Sequence, residues 1–401
     1  MTVLDYQLTV DAAKLDGLRA QLPALQSTVY LNAGSNGPIP QLAHDVMLER
    51  AEDELRIGRA NLSFYKQGAV HAAHLRATMA SVFKANVSEV AIMRSTTEGM
   101  NVALNGIEWR RGDEVITTQL EHPCLYSILG LISHGHGVTV RTVDIGDGGG
   151  DVVAQLESAI TPRTRVIAIS HVMWNSGAVM PLRDIADMAR ARGILTVIDA
   201  AQGGGQLDVD FHLLGVDAYC VAGQKWLCGP NSSGILLLRS DRLGDIRPTY
   251  LRYSQYDTAG FVLPMPGAAR YEMGENFGPT IVSFDRTLEW LRDEVGFPWL
   301  AERNADLGRR AFDRLSGIDN VTLATPPANM AGMVCFNIDG WKPEAIAEEL
   351  ATRGLTIRFV DARPGPAVAR ISTSWWCSED EIDRFGDEVA DLAANPPAAA
   401  Q

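Results

Sequence analysis

The sequence predicts an α/β protein with a doubly wound, mainly parallel sheet and a smaller α/β domain after it. Short apolar runs rich in β-branched residues alternate with stretches of helical periodicity through most of the chain. This alternation is typical of a parallel sheet with helices on both faces. A chain of 401 residues is also long enough for one large domain with a smaller partner.

Two neighbouring strands of the predicted sheet end in polar residues of opposite charge. The run Thr196–Gln202 is apolar up to Asp199, and the run Asp217–Trp226 is apolar up to Lys225. In α/β folds, ligands bind beyond the carboxyl ends of the strands. Burial favours the neutral lysine amine, which attacks carbonyl groups and forms Schiff bases. Each residue alone also fits a surface lysine or a helix-capping aspartate, but the pair predicts a cofactor site.

The segments Ile198–Gln202 and Ala222–Trp226 resemble the cofactor signature of class V pyridoxal phosphate (PLP) enzymes. This group includes cysteine desulfurases, cyst(e)ine C–S lyases and isopenicillin N epimerases. The resemblance extends from about Tyr30 to Glu388. It implies PLP as the cofactor, an amino-acid substrate and a homodimer with shared active sites. It also implies the PLP-dependent transferase fold (fold type I) with a seven-stranded type of sheet.

The order of the predicted elements and the composition, together with this resemblance, divide the chain into four parts. We expect an N-terminal helical arm over residues 1–30, a large PLP-binding domain over 31–280, a small C-terminal domain over 281–393 and a disordered tail over 394–401.

The periodicity of apolar residues predicts the individual elements in order. Predicted helices cover residues 9–27, 41–84 (as two helices), a helix starting at 95, 152–160, 182–193, 281–317, 343–353 and 379–393. Predicted strands cover residues 89–94, 113–118, 138–143, 164–171, 196–199, 217–222, 321–323, 333–338, 355–359 and 368–373. Residues 245–280 are predicted to be a long irregular segment, which in a compact enzyme is usually functional.

The segment Asn32–Pro40 is rich in Gly, Asn and Pro and is predicted to be a loop. Composition alone describes an ordinary turn before a helix. The resemblance implies that this loop enters the active site and closes over the substrate, with Asn36 as a substrate-binding residue.

Ser95 and Glu98 have the spacing of a capping box at a helix N-terminus, which is also a place where anions bind. The resemblance implies that Thr96 and Thr97 hold the PLP phosphate.

The chain departs from many relatives at several positions near this phosphate site. Ala222 and Gln224 replace a serine and a histidine. The neutral Gln224 side chain can donate a hydrogen bond to the phosphate but adds no positive charge. Ser232 stands where a glycine is expected. Glu275 stands where relatives have a threonine, and Thr280 is a candidate replacement.

Three further residues are assigned to the cofactor by the resemblance. His122 is expected to stack on the pyridine ring and to relay protons, although a lone histidine at a strand end is more often structural. Gln202 and Asn175 are expected to contact the phenolic oxygen, and Asn175 alternatively contacts a substrate carboxylate. His171 fits a buried structural role as well as it fits a role in the site.

Arg370 lies within an apolar strand, where a charged side chain is costly unless it is paired. It matches the family arginine that binds the substrate α-carboxylate; the alternative is a structural salt bridge. Arg358 is a weaker second candidate. The loop Phe359–Ala367 contains no cysteine, whereas desulfurases carry a nucleophilic cysteine there, and Cys377 follows the strand in a different place.

These features leave three reactions open. The first is β-elimination by a C–S lyase, which the missing cysteine and the Trp174-Asn175 loop favour. The second is epimerisation or other α-carbon chemistry, for which Tyr253 or Tyr256 is a candidate second acid. The third is a non-catalytic ligand-binding protein, which the Lys225–Asp199 pair argues against.

The net charge of −14 excludes the usual nucleic-acid and anionic-membrane binders. No stretch has the length of a membrane span and no signal peptide is visible. Five scattered cysteines indicate reduced thiols in a cytoplasmic protein, and no cluster of residues predicts a metal site.

Overall fold

The computed structural model describes residues 12–251, 265–274, 276–361, 365 and 367–397. The strands in these residues are β1 (Val29–Tyr30), β2 (Val90–Met93), β3 (Glu114–Thr118), β4 (Thr139–Val143), β5 (Thr164–Ser170), β6 (Leu195–Asp199), β7 (Ala218–Ala222), β8 (Gly234–Leu238), β9 (Val321–Leu323), β10 (Met333–Ile338), β11 (Leu355–Thr356), β12 (Arg358–Val360) and β13 (Val368–Ser372).

The α-helices are α1 (Ala12–Arg19), α2 (Gln41–Ile57), α3 (Leu62–Val82), α4 (Thr96–Asn105), α5 (Pro123–His136), α6 (Val152–Ser158), α7 (Leu182–Arg190), α8 (Phe211–Leu214), α9 (Gly278–Trp290), α10 (Phe297–Ser316), α11 (Pro343–Thr352) and α12 (Glu379–Ala394). A π-helical turn, Leu291–Val295, joins α9 to α10. None of these described helices combines the length and the apolar character that crossing a membrane requires.

Seven strands form the central sheet in the order β2-β8-β7-β6-β5-β3-β4. The strands β3 to β7 run parallel to one another, whereas β8 is antiparallel to both of its neighbours, β2 and β7. The predicted mainly parallel, seven-stranded fold is thereby confirmed. Strands β6, β7 and β8 are buried along their whole length, as expected for a sheet covered by helices on both faces.

Two smaller sheets complete the fold. One is antiparallel and has the order β12-β13-β10-β9, and the other pairs β1 with β11 in parallel. Val29 pairs with Leu355, and the Ser372 N–H donates to the Leu31 carbonyl oxygen at 2.8 Å. The chain that follows β1 therefore lies against the end of β13, which carries Arg370.

Several predicted boundaries differ from the observed ones. The predicted strand 355–359 is two strands that belong to different sheets, separated at Ile357. Helix α9 begins at Gly278, so that the predicted domain boundary at 280/281 falls inside a helix, and α12 extends to Ala394. The four-part domain division stays a prediction; residues 1–11 and 398–401 lie outside the described residues.

Candidate active site

Lys225 lies three residues beyond β7, in a turn at the carboxyl edge of the central sheet. Burial lowers the pKa of its amine to about 8; the Asp199 charge opposes this shift, and the charges of Arg370 and Arg358 add to it. A lysine at this pKa has a substantial neutral fraction near physiological pH, which suits it to nucleophilic attack and to proton transfer.

Asp199 is the last residue of β6 and is only 6% exposed. Its carboxylate accepts a hydrogen bond from the Ala201 N–H at 2.9 Å. In the sheet register Asp199 pairs with Ser170 of β5 on one side and with Cys220 of β7 on the other. The sheet thus places an acid in the middle of the edge at which Lys225 lies.

The start of α4 supplies the predicted phosphate contacts. Ser95 caps the helix, because its hydroxyl accepts the Glu98 N–H at 3.1 Å. The second half of the predicted capping box is wrong, because the Glu98 carboxylate accepts the Arg94 N–H at 2.5 Å. Thr96 Oγ1 is buried without a partner, and Thr97 Oγ1 lies 3.2 Å from Cys124 Sγ. Hydroxyls and helix N–H groups here are suited to a phosphate.

His122 caps α5 with its own ring, since Nδ1 accepts the Cys124 N–H at 3.2 Å. An accepting Nδ1 carries no proton, so the imidazole is neutral in this arrangement. Burial and the Lys225 charge lower the pKa of His122 and favour the same form. The ring meets Trp174 edge-on, with centroids 4.7 Å apart.

The sequence analysis did not identify Glu121, which precedes His122 in the chain and is buried. Its two carboxylate oxygens accept hydrogen bonds from Thr118 Oγ1 at 2.7 Å and from Ser170 Oγ at 2.6 Å. Thr118 and Ser170 end the adjacent strands β3 and β5. Burial raises the pKa of Glu121 to about 8, and the Asp199 charge contributes to the shift.

The loop that begins at Asn32 packs against the lysine turn. The Gly37 N–H donates to the Gln224 carbonyl oxygen at 2.9 Å, and a side chain at Gly37 would collide with the Lys225 carbonyl oxygen. Glycine is required at this position because the two backbones approach so closely. Asn36, the predicted substrate contact, is exposed at the outer side of this loop.

Gln202 connects this loop to the lysine turn. Its amide nitrogen donates to the Gly34 carbonyl oxygen at 2.9 Å, and its amide oxygen accepts the Trp226 indole N–H at 2.8 Å. One amide N–H remains for the predicted contact with the cofactor's phenolic oxygen.

Arg370 is 2% exposed and lies on β13. Its guanidinium donates to the Trp174 carbonyl oxygen at 3.0 Å and to Ser35 Oγ at 3.4 Å, whereas Nε has no partner. No carboxylate of the described residues forms an ion pair with it, so the structural salt bridge considered from the sequence is not observed. Burial lowers the Arg370 pKa to about 10. An unpaired buried guanidinium is costly and is suited to binding an anion.

Several buried polar atoms of the candidate site lack a hydrogen-bond partner. They are Thr96 Oγ1, Trp174 Nε1, Asn175 Oδ1, Gln224 Oε1 and Arg370 Nε. Buried polar groups are rarely left unsatisfied, and such groups at one sheet edge indicate a polar ligand. The hydroxyls fit a phosphate and the lysine fits an aldehyde. The aspartate fits a ring nitrogen and the arginine fits a carboxylate.

A protein-family model described as "Aminotransferase class-V" matches residues 29–385. The chain belongs to the class V aminotransferase family. Its cofactor is pyridoxal phosphate, and the donor set described above fits this group. The protein is thus a class V PLP enzyme that acts on amino acids.

The curated relatives include proteins of two different activities. The chain is 24% identical over 396 residues to a probable cysteine desulfurase of Methanothermobacter thermautotrophicus, covering 95% of this chain and 98% of that protein. It is 28% identical over 387 residues to isopenicillin N epimerase of Streptomyces clavuligerus, covering 90% of this chain and 94% of that protein.

The solved structures include a third activity. A complex of the cystine C–S lyase C-DES with its reaction product cysteine persulfide has a TM-score of 0.88 and 26% identity, covering 92% of this chain and 99% of that one. A lysine-to-alanine mutant of C-DES, with glycine covalently linked to the PLP cofactor, has a TM-score of 0.89 and 27% identity, covering 93% and 99% of the two chains.

The structure brings the predicted cofactor and carboxylate residues to one edge of the sheet. His171 lies at the same edge, where its N–H donates to the Asp199 carbonyl oxygen at 2.9 Å. His171 bonds to Tyr219 at 2.7 Å, and burial lowers its pKa to about 3, as expected for a structural histidine. Thr280 lines a cavity of about 300 Å³ with Arg94 and Ser232. The candidates Tyr253, Tyr256 and Glu275 lie outside the described residues.

Two contacts in the site were missed by sequence reasoning. Cys124 lies two residues after His122 and contacts Thr97, and Ser35 contacts Arg370. The spacing from His122 was an available signal for Cys124. No local pattern signals Ser35, because its partner is distant in the chain.

Proposed function

We propose that the protein is a C–S lyase that performs β-elimination on cysteine, cystine or a cysteine S-conjugate. With the uptake of one water, the products are pyruvate and ammonia together with hydrogen sulfide from cysteine, cysteine persulfide from cystine or a thiol from an S-conjugate. The observation that carries the proposal is the absence of a cysteine in the loop Phe359–Ala367, which rules against a persulfide-relay desulfurase. Cys377 does not replace it, because it is fully buried with its Sγ 3.6 Å from the Tyr30 carbonyl oxygen.

When bound, PLP would supply the electron sink that stabilises negative charge at the substrate α-carbon. Thr96, Thr97 and Gln224 would hold its phosphate, Asp199 its ring nitrogen, and Gln202 and Asn175 its phenolic oxygen. His122 would lie against the ring. Among these residues, Thr96 has a buried hydroxyl without a partner that can donate to a phosphate oxygen.

Lys225 is the group that moves the proton. Its neutral amine is the base that would remove the α-proton of the substrate. The pKa of about 8 makes the neutral form accessible near physiological pH. The nearby neutral His122 adds no positive charge that would depress the basicity of Lys225 further.

Arg370 orients the substrate through its α-carboxylate. The Trp174 carbonyl oxygen and Ser35 hold the guanidinium from two sides, so that little side-chain entropy is lost on binding. The loop around Gly37, which lies against the lysine turn, limits access of water to the reacting carbon.

An amino-acid epimerase is the second candidate, because two isopenicillin N epimerases are 27–28% identical to the chain over most of its length. Epimerisation requires an acid on the face opposite Lys225. Tyr253 and Tyr256 remain the candidates for that role.

We also propose that the protein is a cytoplasmic homodimer. Large apolar side chains are exposed on α2 and α3 and before α9, including Leu55 (85%), Leu62 (68%), Tyr65 (60%) and Phe277 (60%). Exposed apolar side chains in this number favour contact with a second copy. Sedimentation of the PLP-loaded protein at twice the monomer mass is expected, and a monomer at micromolar concentration would contradict the proposal.

The reaction is tested with PLP-loaded protein and three separate substrates: L-cystine, L-cysteine and a bulky cysteine S-conjugate. Formation of pyruvate with stoichiometric release of sulfur supports the lyase. Absence of pyruvate, together with incorporation of deuterium at the α-carbon in heavy water, supports the epimerase instead.

A further inference from the structure

A fully buried glutamine lies between a residue expected to contact the cofactor and the segment next to the substrate-binding strand. Gln206 is 0% exposed and follows Gln202 by four residues. Its amide nitrogen donates to the Gln202 carbonyl oxygen at 2.9 Å, and its amide oxygen accepts the Gly332 N–H at 3.1 Å. One side chain therefore joins the turn after β6 to the residue that precedes β10.

Gly332 continues this connection to the strand that carries Arg370. Its carbonyl oxygen accepts the Thr373 N–H at 2.8 Å and the Thr373 hydroxyl at 2.9 Å. Thr373 is the residue directly after β13. A side chain at Gly332 would collide with the Thr373 carbonyl oxygen, so the two backbones are in close contact. The end of β13 is thus joined to Gln206 through a single residue.

At its other end, Gln206 holds the backbone of a residue that meets Arg370. Gln202 donates from its side chain to the Gly34 carbonyl oxygen and accepts the Trp226 indole N–H. A Cβ atom at Gly34 would lie 3.1 Å from both Arg370 Nη2 and Gln202 Oε1. The guanidinium and the Gln202 amide therefore meet at Gly34, and each is connected to Gln206 by its own route.

The position of Gln206 is itself fixed by a third element. Asn304 of α10 is fully buried, and its amide nitrogen donates to the Gln206 carbonyl oxygen at 3.0 Å. Without the Gln206 amide, the Gln202 carbonyl oxygen and the Gly332 N–H would both lose a buried partner. Buried backbone groups without partners are costly, so the segments on either side would shift to satisfy them. These segments are the ones that carry Gln202 and, through Thr373, Arg370.

We propose that Gln206 is a positioning residue that holds the Gln202 amide and the Arg370 guanidinium in a fixed relation to each other. Because Gln206 has no exposed surface, it touches no ligand and acts through these two residues. The inference rests on the proposed roles of Gln202 at the phenolic oxygen of PLP and of Arg370 at the substrate α-carboxylate. It predicts that one buried substitution changes both the cofactor and the substrate side of the site.

The cofactor side is tested by the visible absorbance of PLP-loaded protein as a function of pH. Gln206→Met keeps the length of the side chain and removes its hydrogen-bonding groups. A displaced Gln202 no longer donates to the ionised phenolic oxygen, and loss of a hydrogen bond to the charged form raises a pKa. We expect the midpoint of the absorbance change to move upward by about 0.5 pH unit or more. An unchanged midpoint overturns the inference.

The substrate side is tested by calorimetric titration with L-norvaline, which has an α-carboxylate and no leaving group. Gln206→Met should bind it about 5-fold or more weakly than wild type, and equal affinity overturns the inference. Thr196→Val is the matched control. It removes a buried hydroxyl that donates to Asp217 at 3.0 Å, near the start of β6 and away from Asp199.

The control should lower Tm and change neither the absorbance midpoint nor the norvaline affinity. If Thr196→Val moves both readouts as far as Gln206→Met does, the effects come from a general loss of rigidity and the inference is wrong.

A second variant carries the test if Gln206→Met does not fold or does not hold PLP. In Gln206→Glu, burial keeps the carboxyl group protonated near pH 6, where it accepts and donates as the amide does. Norvaline affinity should then match wild type at about pH 6 and fall about 5-fold or more below it at about pH 9, where the donor is lost. A ratio to wild type that is the same at both pH values contradicts the inference.

Turnover separates this inference from the proposed reaction. If Gln206→Met moves both readouts but no substrate yields pyruvate with wild type, the inference stands and the lyase proposal fails. If wild type forms pyruvate and Gln206→Met keeps the wild-type midpoint and norvaline affinity, the lyase proposal stands and the inference fails.

Discussion

Glu121 accepts a hydrogen bond from Ser170 Oγ at 2.6 Å, and this contact joins the turn before His122 to the strand beside Asp199. The other oxygen of Glu121 bonds to Thr118, so that the carboxyl group links the ends of β3 and β5. Two residues expected to contact the cofactor are therefore positioned by one buried acid.

The Glu121 pKa of about 8 predicts an unusual pH dependence of stability. The unfolded carboxyl group titrates near 4.3, whereas the folded one holds its proton to about 8. The contribution of Glu121 to stability is thus fully present below about pH 4.3 and is lost as the pH rises towards 8. Glutamine resembles the protonated acid and does not titrate. As the pH rises from 5 to 8, the stability of Glu121→Gln relative to wild type should therefore increase. Denaturant unfolding at several pH values measures this; the exposed Glu344→Gln serves as the control, and a pH-independent difference contradicts the prediction.

Glu114 should show the opposite dependence. It is fully buried at the start of β3 and accepts hydrogen bonds from Arg141 at 2.6 Å, Thr161 at 2.7 Å and Arg163 at 2.7 Å. The Arg141 contact is the main cause of a pKa lowered to about 2. Its stabilisation is present above the unfolded value near 4.3 and is lost as the pH falls towards 2.

Glu114→Gln should accordingly lower the free energy of unfolding at pH 7 by about 1–3 kcal/mol. The difference from wild type should shrink as the pH falls from 5 to 2. The exposed Glu108→Gln, measured in the same way, should change stability little at either end of this range. An equal loss at pH 7 and pH 3 would show that the charge of Glu114 is not responsible.

Lys225 should react with PLP at a lower pH than an ordinary lysine. In the cofactor-free protein its amine has a pKa of about 8, so the rate of PLP attachment should rise with pH with a midpoint near that value. For an ordinary lysine side chain the midpoint lies near 10.4. Absorbance after stopped-flow mixing measures the rate. Lys225→Ala should form no covalent product and should lose turnover, whereas the exposed Lys342→Ala should behave as wild type; a midpoint above pH 10 would refute the prediction.

Removal of the Arg370 guanidinium should weaken substrate binding and leave cofactor binding unchanged. We expect Arg370→Gln to lower kcat/KM by about 100-fold or more, because the α-carboxylate loses its charged partner. PLP affinity should be unchanged, and the Tm of the substrate-free protein should not fall, since an unpaired buried charge is removed. Arg370→Lys should restore part of the activity. A structural arginine would instead show a lower Tm in both variants.

Local patterns predicted most of the fold. Strands such as β3 and β6 were predictable because each is a buried run bounded by turn residues, and periodicity placed helices α7, α11 and α12 within a few residues. Helix α5 and strand β8 were not predicted. The split at Ile357 was not predictable, because the two halves of that run pair with strands from different parts of the chain.

Those residues of the candidate site that carry a local sequence signal were predicted, and the others were not. Lys225 and Asp199 end apolar runs, and Thr96 opens a helix, so each carries a local signal. Glu121 and Ser35 carry none, because their roles depend on Ser170 and Arg370, which are distant in the chain. Cys124 carries only its spacing from His122. The second half of the capping box failed since the Glu98 carboxylate found a nearer N–H at Arg94.

The pairing of Val29 with Leu355 affects the order in which the protein is assembled during synthesis. Domains fold from the N-terminus as the ribosome releases them. The central sheet is complete at Leu238, so the lysine turn can form while the rest of the chain is still being made. The loop after β1 gains its contacts with the two smaller sheets only when β11 and β13 emerge. A nascent chain therefore builds the cofactor half of its site first, and it becomes competent for amino-acid chemistry only near the end of translation.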